Sequence, residues 1–215
     1  MTAIAARVTG NNNTEYHWQN SAPDHTEAYL WPTVTSVLQK SVGQNARVFD
    51  LGCGNGNLMK CLQNNGYEVV GVDPSVSGVS VATESGLHAE VGSAYDPLAE
   101  KFGVFPAVVS LEVVEHVYSP REYATSLFDL LEPSGTAIVS TPFHGYWKNL
   151  AIALTGKFDH HVKPLWDHGH IKFWSPATLS ELLHEVGFES VEFHYAGRMY
   201  PFSKSMIAVA RKPQK

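Results

Sequence analysis

The stretch that decides the fold of this chain is residues 48–58, with the sequence VFDLGCGNGNL. A short strand-like run leads into a loop with glycine at alternate positions, and a helical pattern follows. Because glycine lacks a β-carbon, a ligand can approach the backbone of such a loop and the chain can turn sharply there. Asp73 ends the next predicted strand, where a carboxylate can accept both hydroxyl hydrogens of a ribose. The loop and the acid together predict a site for a nucleoside-bearing cofactor.

The spacing of the glycines separates two kinds of cofactor. Dinucleotide folds favour the pattern G-x-G-x-x-G, but here the glycines are Gly52, Gly54 and Gly56. Asn57 occupies the position of the last glycine in that pattern. Asp50, shortly before the loop, would repel a pyrophosphate and attract an ammonium group. Both features favour S-adenosylmethionine, which has an amino-acid tail and no phosphate, and the alternative is a glycine-rich turn that binds nothing.

The composition is that of an ordinary globular protein. The chain has 215 residues, 44% hydrophobic and 17% charged, which argues against a disordered or collagen-like protein. Its two cysteines, Cys53 and Cys61, exclude a disulfide framework and a four-cysteine zinc site. The net charge of −6, with no visible basic patch, argues against nucleic acid as the main partner. No apolar run reaches the roughly 18 residues of a membrane span, so we expect a cytoplasmic protein without an integral membrane segment.

Strand-like and helix-like runs alternate from residue 47 onwards. This alternation predicts an α/β protein with a Rossmann-like, mostly parallel sheet of seven strands, helices on both faces and a helical cap. In such sheets, ligands bind beyond the carboxyl ends of the strands. The predicted strands of the first part are residues 47–51, 68–73, 89–91, 107–111 and 135–141, and the predicted helices are residues 58–64, 77–84 and 120–131.

The end of the chain predicts a change of strand direction. Ser175 and Pro176 are typical of a helix start, and that helix should end at Gly187. The strands that follow, residues 190–195 and 205–211, are joined by a segment too short for a helical crossover, so they should be antiparallel. We expect one domain over residues 1–215, made of an amino-terminal lid (14–40), a cofactor-binding core (45–142), a cap insertion (143–174) and a closing helix with a strand pair (175–212).

Four segments resemble, in order and spacing, the motifs of class I S-adenosylmethionine-dependent methyltransferases. They are VFDLGCGNGNL, VVGVDPS, VVSLEVVEHV and LLEPSGTAIVSTP, within roughly residues 46–142. The segments SLEVVEHV, STP and IKFWSP look most like the ubiquinone-pathway O-methyltransferases and their uncharacterised bacterial relatives. The resemblance implies methyl transfer from S-adenosylmethionine to a small-molecule acceptor, with S-adenosylhomocysteine as the product. An aromatic or quinol-like hydroxyl is the leading acceptor, and N-, C- or carboxylate methylation of another metabolite is the alternative.

Two other classes of protein share these features. A nicotinamide-dependent oxidoreductase would share the strand, the loop and the acid, and a cofactor-binding module without turnover would share every motif.

The resemblance also implies a set of cofactor contacts. The implied contacts are Asp50 at the amino group, Gly52, Cys53, Gly54 and Gly56 along the methionine and ribose, Asp73 at the ribose hydroxyls, Pro74, Ser93 and Ala94 at the adenine, and Leu111 and Glu112 at the methionine tail.

Two sets of residues are candidates for deprotonating a hydroxyl acceptor, because a phenol has a pKa near ~10. Glu112, Glu115 and His116 would share one face of a helix and could bind a divalent ion, or could simply order the cofactor pocket. His170 is the candidate general base from the cap, and its alternative role is a hydrogen bond to a loop carbonyl. We expect no zinc site, because the histidines of residues 143–174 lack a recognised ligand spacing. The other histidines there are His144, His160, His161 and His168, the last of them next to Asp167.

The cap insertion carries an apolar stripe at helical spacing. The stripe predicts a helix that packs the cap on the sheet, and the alternatives are a substrate lid or a weak peripheral contact with a membrane. In the amino-terminal segment, Tyr16 and Trp18 resemble the lid of such enzymes, and Pro32 predicts a break or a first turn of a helix. The residues of the stripe are Trp147, Leu150, Ala151, Leu154 and Phe158.

Overall fold

The computed structural model describes residues 26–162, 165–166 and 169–215. The strands are β1 (Arg47–Leu51), β2 (Glu68–Asp73), β3 (His88–Val91), β4 (Phe105–Leu111), β5 (Leu131–Pro142), β6 (Ser190–Ala196) and β7 (Ser205–Arg211). The helices are α1 (Glu27–Val42), α2 (Asn57–Asn64), α3 (Val76–Glu84), α4 (Leu98–Phe102), α5 (Pro120–Asp129), α6 (Tyr146–Thr155) and α7 (Pro176–Glu185), with a 3-10 turn at Phe158–His160.

The strands form one seven-stranded sheet in the order β3-β2-β1-β4-β5-β7-β6. Pairing is parallel from β3 to β5, and β7 lies antiparallel between β5 and β6. The predicted Rossmann-like fold and its antiparallel final pair are therefore confirmed. The chain leaves β1 in one direction to reach β2 and later returns to its other side as β4. This reversal leaves a crevice beyond the carboxyl ends of β1 and β4, where ligands of such sheets bind.

Three local predictions were wrong by a few residues or missed an element. The predicted helix over residues 120–131 ends at Asp129, because Leu131 already pairs with Phe105 as the first residue of β5. A register shift follows this pair, so the strand continues through a stretch whose proline and glycine indicated a turn. The short helix α4 was not predicted, since five residues are too few to show a helical period.

Side chains of the sheet alternate between two hydrophobic clusters, one on each face. Phe49 belongs to the same cluster as Tyr123 of α5 and Leu183 of α7, whereas its neighbour Val48 belongs with Leu38 of α1 to the cluster on the other face. All of these side chains are buried. Burying one Leu or Phe stabilises a fold by roughly 1.5–3 kcal/mol, so the two clusters hold the helices on both faces.

Helix α1 packs on the sheet and continues through Pro32 without a break, unlike the prediction. A proline inside a helix removes one backbone hydrogen bond, and the buried face of α1, which includes Leu30, holds the helix against the sheet. The segment 14–25, with Tyr16 and Trp18, lies outside the described residues. The assignment of an amino-terminal lid therefore stays a prediction.

Helix α6 leaves its apolar residues exposed. None of its residues is buried, and the side chains of Trp147 and Leu154 are 54% and 78% exposed. The expectation that this stripe packs the cap on the sheet is therefore wrong. Helical spacing determines which residues share a face, but it does not determine whether another element covers that face. Over the described ranges, the chain has no helix with the length and apolarity needed to cross a membrane.

Candidate active site

The glycine loop follows β1 and is fixed by neighbours on two sides. The N–H groups of Gly52 and Cys53 donate to the carbonyl of Val72 in β2, at 2.8 and 3.1 Å. Gly52 has a φ of +88°, and a β-carbon there would lie 2.4 Å from a methyl of Val113, so only glycine fits. The loop backbone is thereby placed between β2 and the segment that follows β4.

Asp73, the last residue of β2, organises this loop. Its two carboxylate oxygens accept hydrogen bonds from the N–H groups of Gly54 at 2.9 Å and Ser75 at 2.8 Å. The hydroxyl of Ser75 in turn accepts from the N–H of Gly78 and caps α3. The structure therefore brings the predicted ribose-binding acid to the edge of the glycine loop, and its contact with a ribose stays a prediction.

Asp50 lies beneath the loop as a buried acid. Its side chain is 1% exposed, and within the described parts of the chain its Oδ2 atom has no hydrogen-bond partner. Burial, and secondly the charge of Asp73, raise the pKa of Asp50 to about 8. Burial also raises the pKa of the Cys53 thiol, which fits a small, unreactive loop residue.

The segment predicted to meet the adenine adjoins a cavity of about 250 Å³. The cavity lies between Val72 in β2 and the helix α4, and Asp96 lines it. The carboxylate of Asp96 accepts a hydrogen bond from the N–H of Ser93 at 2.7 Å, and Ala94 packs against the core. The sequence analysis missed Asp96, although an aspartate shortly before a proline is typical of such turns. Pro74, the remaining predicted adenine contact, is exposed beside this region.

The segment after β4 is a turn, not the helix on which a shared face of its acids would depend. Glu112, which follows Leu111 at the end of β4, has a φ of +55° and is tied to β5. Its N–H donates to the carbonyl of Ser140 at 3.1 Å, and its carboxylate accepts from the Ser140 hydroxyl at 2.8 Å. Glu112 is therefore held next to β5, apart from the cluster formed by Glu115 and His116.

Glu115, His116 and His170 form a compact cluster. Their ligand atoms all lie within 4.8 Å of one another. Glu115 is 1% exposed, and neither of its oxygens has a partner with hydrogen-bond geometry among the described residues, although Thr141 lies near. Burial, together with the charge of Glu112, raises the pKa of Glu115 well above its ordinary value. The structure thus unites the three predicted catalytic residues.

The end of the cap insertion is hydrogen-bonded to the turn that carries Glu115. The N–H groups of Ile171 and Lys172 donate to the carbonyl of Glu115 at 2.9 and 3.0 Å. The indole N–H of Trp174 donates to the carbonyl of Val114 at 3.0 Å. These three hydrogen bonds fix the position of His170 relative to the turn, which explains why residues far apart in sequence meet here.

The protonation states of the two histidines follow from their neighbours. Nδ1 of His116 lies 3.2 Å from the carbonyl oxygen of Gly169. A carbonyl can only accept, so Nδ1 carries the hydrogen and Nε2 is the unprotonated nitrogen of neutral His116. Burial, followed by the charges of His116 and Lys148, lowers the pKa of His170 to about 4. His170 Nε2 lies 3.9 Å from Glu115, and since His170 is neutral at pH 7, this contact is not an ion pair.

The other described histidines of the cap differ in their surroundings. His144 packs its ring against Phe173 at 5.3 Å, and burial lowers its pKa to about 4. His160 and His161 are exposed in and after the 3-10 turn. Asp167 and His168 lie outside the described residues.

The sheet, the loop at its strand-order reversal and the two acids define a nucleoside-cofactor-binding α/β protein. A family model described as "Methyltransferase domain" matches residues 24–192. This match covers most of the chain, so the chain belongs to that family, and the resemblance seen in the sequence is confirmed.

Curated relatives carry a more specific name. The chain is 36% identical over 152 residues to the ubiquinone biosynthesis O-methyltransferase of Ruegeria pomeroyi, covering 68% of this chain and 61% of that protein. It is 27% identical over 152 residues to the protein of the same name in Burkholderia pseudomallei, covering 68% of this chain and 66% of that protein. The matched region thus spans about three fifths to two thirds of the length of these relatives.

Solved structures share the fold at low sequence identity. The YcgJ protein of Bacillus subtilis has a TM-score of 0.66 at 14% identity, covering 86% of this chain and all of that chain. The magnesium protoporphyrin IX methyltransferase of Synechocystis PCC 6803, solved with bound S-adenosylhomocysteine, has a TM-score of 0.61 at 22% identity, covering 84% of this chain and 82% of that chain. These likenesses support the fold.

Proposed function

We propose that this protein is an S-adenosylmethionine-dependent methyltransferase whose acceptor is a hydroxyl group of a small aromatic or quinol-like molecule. The observation that carries the cofactor is Asp50, a buried acid at the end of β1 with one oxygen that has no hydrogen-bond partner among the described residues. An acid in this position is unfavourable for a pyrophosphate and favourable for the ammonium group of an amino-acid tail. Membership of the methyltransferase family supports the same cofactor.

The residues present fit S-adenosylmethionine along the whole crevice. Asp50 would accept the amino group, the backbone of the glycine loop would lie along the tail, and Asp73 would accept from the ribose hydroxyls. The cavity lined by Asp96 is open for the adenine. When bound, S-adenosylmethionine supplies an electrophilic methyl group for an in-line displacement. The protein's own contribution is then to orient the acceptor and to remove its proton.

His116 is the residue that we assign as the base. Its Nδ1 faces the carbonyl of Gly169, so in the neutral ring Nε2 is the nitrogen that would accept the hydroxyl proton. His170, with a pKa of about 4, is a weaker proton acceptor and would pack beside His116, whose ring lies 4.8 Å away in an edge-on contact. The ligand atoms of Glu115 and the two histidines lie within 4.8 Å of one another, so a negative charge on Glu115 would stabilise the proton that His116 accepts.

The same cluster supports a second candidate role, the binding of a divalent metal. The imidazoles of His116 and His170 and the carboxylate of Glu115 form a donor set that suits such an ion. The two oxygens of buried Glu115 have no hydrogen-bond partner among the described residues. Glu115 and the Nε2 atoms of His116 and His170 would hold the ion, which would polarise the acceptor hydroxyl. Titration with Mn²⁺, followed by paramagnetic resonance, should show one site that is lost in Glu115→Gln. Full turnover after chelation, with no Mn²⁺ site, would exclude this role.

The proposed function is tested first at the level of the cofactor. Calorimetry should show micromolar binding of S-adenosylmethionine and S-adenosylhomocysteine to the wild type, loss of that binding in Asp73→Ala, and no binding of reduced nicotinamide. Binding of the nicotinamide instead would identify an oxidoreductase and overturn the proposal. A protein that binds S-adenosylmethionine but transfers its methyl to no hydroxyl, amine, carbon or carboxylate acceptor would be a cofactor-binding module.

The acceptor chemistry is tested with the base. His116→Gln should abolish transfer to a hydroxyl at neutral pH, whereas transfer to a carboxylate needs no base and should persist.

We also propose a cytoplasmic protein without a nucleic-acid partner. The exposed stripe on α6 supports a weak peripheral membrane contact, which sedimentation with anionic lipid vesicles would detect and Trp147→Ser should weaken.

A further inference from the structure

A fully buried tyrosine of α5 is hydrogen-bonded to the middle of the sheet. The hydroxyl of Tyr123 donates to the hydroxyl of Ser110 in β4 at 2.9 Å, and the Ser110 hydroxyl donates to the carbonyl of Leu51 in β1 at 2.7 Å. Tyr123 and Ser110 are both 0% exposed. Burial raises the pKa of Tyr123, so its hydroxyl remains a donor at neutral pH. We call this pair of hydrogen bonds the hydroxyl chain.

The hydroxyl chain crosses the point where β1 and β4 separate. The parallel pairing of these strands ends at Asp50 and Val109, one residue before the chain. Beyond that pair, Leu51 continues the pairing of β1 with β2, and Ser110 continues that of β4 with β5. Side chains therefore join the two strands where their backbone ladder has ended. This is the strand-order reversal at which ligands of such sheets bind.

At its β1 end, the hydroxyl chain fixes the start of the glycine loop. The carbonyl of Leu51 is held on the β4 side by Ser110. The next two N–H groups, of Gly52 and Cys53, are held on the β2 side by the carbonyl of Val72. The loop is thus anchored on both sides, and its anchor on the β4 side is a buried hydroxyl group.

At its β4 end, the hydroxyl chain fixes the start of the turn that carries the base. Two residues after Ser110, the N–H and the carboxylate of Glu112 are bonded to Ser140 of β5, at 3.1 and 2.8 Å. The end of β4 is therefore tied to β5 on one side and, through the hydroxyl chain, to β1 on the other. The turn with His116 begins at this doubly tied strand end.

We propose that Tyr123 and Ser110 are positioning residues for methyl transfer, which set the separation between the glycine loop and the turn that carries His116. This inference rests on the proposed methyltransferase function. An in-line displacement requires the methyl group and the attacking oxygen to be held at a fixed distance and angle. The cofactor would lie on the loop after β1 and the base on the turn after β4, so the gap between these strand ends must be kept constant. Without the hydroxyl chain, the arrangement that binds the cofactor is populated less.

The test removes one hydroxyl at a time. Tyr123→Phe keeps the buried ring and removes the donor, and Ser110→Ala breaks the chain at its centre. We expect each variant to bind S-adenosylhomocysteine about five- to tenfold more weakly in calorimetry, the range that corresponds to one hydrogen bond of ordinary net strength. The double variant should bind as Ser110→Ala does, because the chain is already broken there. Tyr67→Phe removes the hydroxyl of another buried tyrosine, just before β2 at the opposite edge of the sheet, and should bind as the wild type does.

Amide hydrogen exchange of the free protein gives a second readout. Tyr123→Phe should speed exchange both in the glycine loop and in the turn after β4, and Tyr67→Phe should change neither. Unchanged affinity in a folded Tyr123→Phe protein that has lost only thermal stability would show a purely structural role and refute the inference. Additive losses of affinity in the double variant, or an equal loss in Tyr67→Phe, would also refute it. Failure of the wild type to bind S-adenosylhomocysteine would refute the proposed function, whereas the exchange comparison would still decide whether the hydroxyl chain connects the loop to the turn.

Discussion

Asp50 allows a quantitative prediction about how the cofactor binds. Its pKa of about 8, against an ordinary 3.8, means that burial and the charge of Asp73 together disfavour the charged carboxyl by about 6 kcal/mol, at 1.36 kcal/mol per pH unit. The acid is therefore about 0.9 protonated at pH 7 in the free protein. If the ammonium group of S-adenosylmethionine binds beside it, the carboxyl becomes charged and its proton is released. We expect binding at pH 7 to release close to one proton per protein.

The assay is calorimetry in buffers of different ionisation enthalpy, in which a released proton makes the observed binding enthalpy depend on the buffer. The charged fraction of Asp50 rises about tenfold between pH 6 and pH 7. The association constant should therefore rise about tenfold over that interval, in which an α-amino group with a pKa near ~7.7 stays mostly protonated. Asp50→Asn should abolish both effects. Asp129→Asn, which removes an exposed carboxylate at the end of α5, should retain them.

Two results would refute this reasoning. A binding enthalpy that is independent of the buffer would mean that no proton leaves on binding. A retained proton release in Asp50→Asn would mean that the proton comes from another group, and the assignment of Asp50 to the amino group would be withdrawn.

Three further predictions follow from the same structure. Gly56→Ala should lower the free energy of unfolding by about 3 kcal/mol, because its β-carbon would lie 2.5 Å from Leu87 at a φ of +79°. Gly86→Ala has a similar φ but open space around it, so it should lower the free energy of unfolding by only about 1 kcal/mol. Equal losses for the two variants in urea titrations would contradict the steric argument. Trp174→Phe removes the indole N–H that donates to the turn after β4. It should lower the free energy of unfolding by about 1 kcal/mol and speed amide hydrogen exchange in that turn. Unchanged exchange would show that this hydrogen bond does not stabilise the turn. The pKa of His170 is about 4 in the folded protein and 6.5 ordinarily. Between these pH values the unfolded state binds more protons, so the stability of the fold rises with pH across that window. His170→Gln should reduce this rise in thermal unfolding experiments, and an unchanged pH profile would refute the lowered pKa of His170.

The residues proposed to bind the cofactor could be located from the sequence, because local patterns carry them. A strand, a glycine loop and a helix follow one another within residues 48–58, and Asp73 ends the neighbouring strand. Parallel pairing of β1 and β2 brings these pieces together at one edge, as the fold class requires. The antiparallel final strand pair was equally predictable from the short connection that joins it.

Contacts between distant segments were harder to predict. His170 meets Glu115 only because the cap insertion returns across the turn after β4, and no spacing in the sequence encodes that path. Glu112 was expected to share a face with Glu115, but it turns towards Ser140 of β5 instead.

The sequence by itself therefore determined the alternation of strands and helices in the sheet and the position of the glycine loop, since these depend on short-range periodicity and on where glycine is required. Only the tertiary structure decided which groups meet at the turn after β4 and how their surroundings shift their pKa values. Burial raises the pKa of Asp50 and Glu115 and lowers that of His170, and burial is a property of the packed chain. The apolar face of α6 shows the same division: its periodicity predicted the helix, and only the packed fold showed that nothing among the described residues buries it.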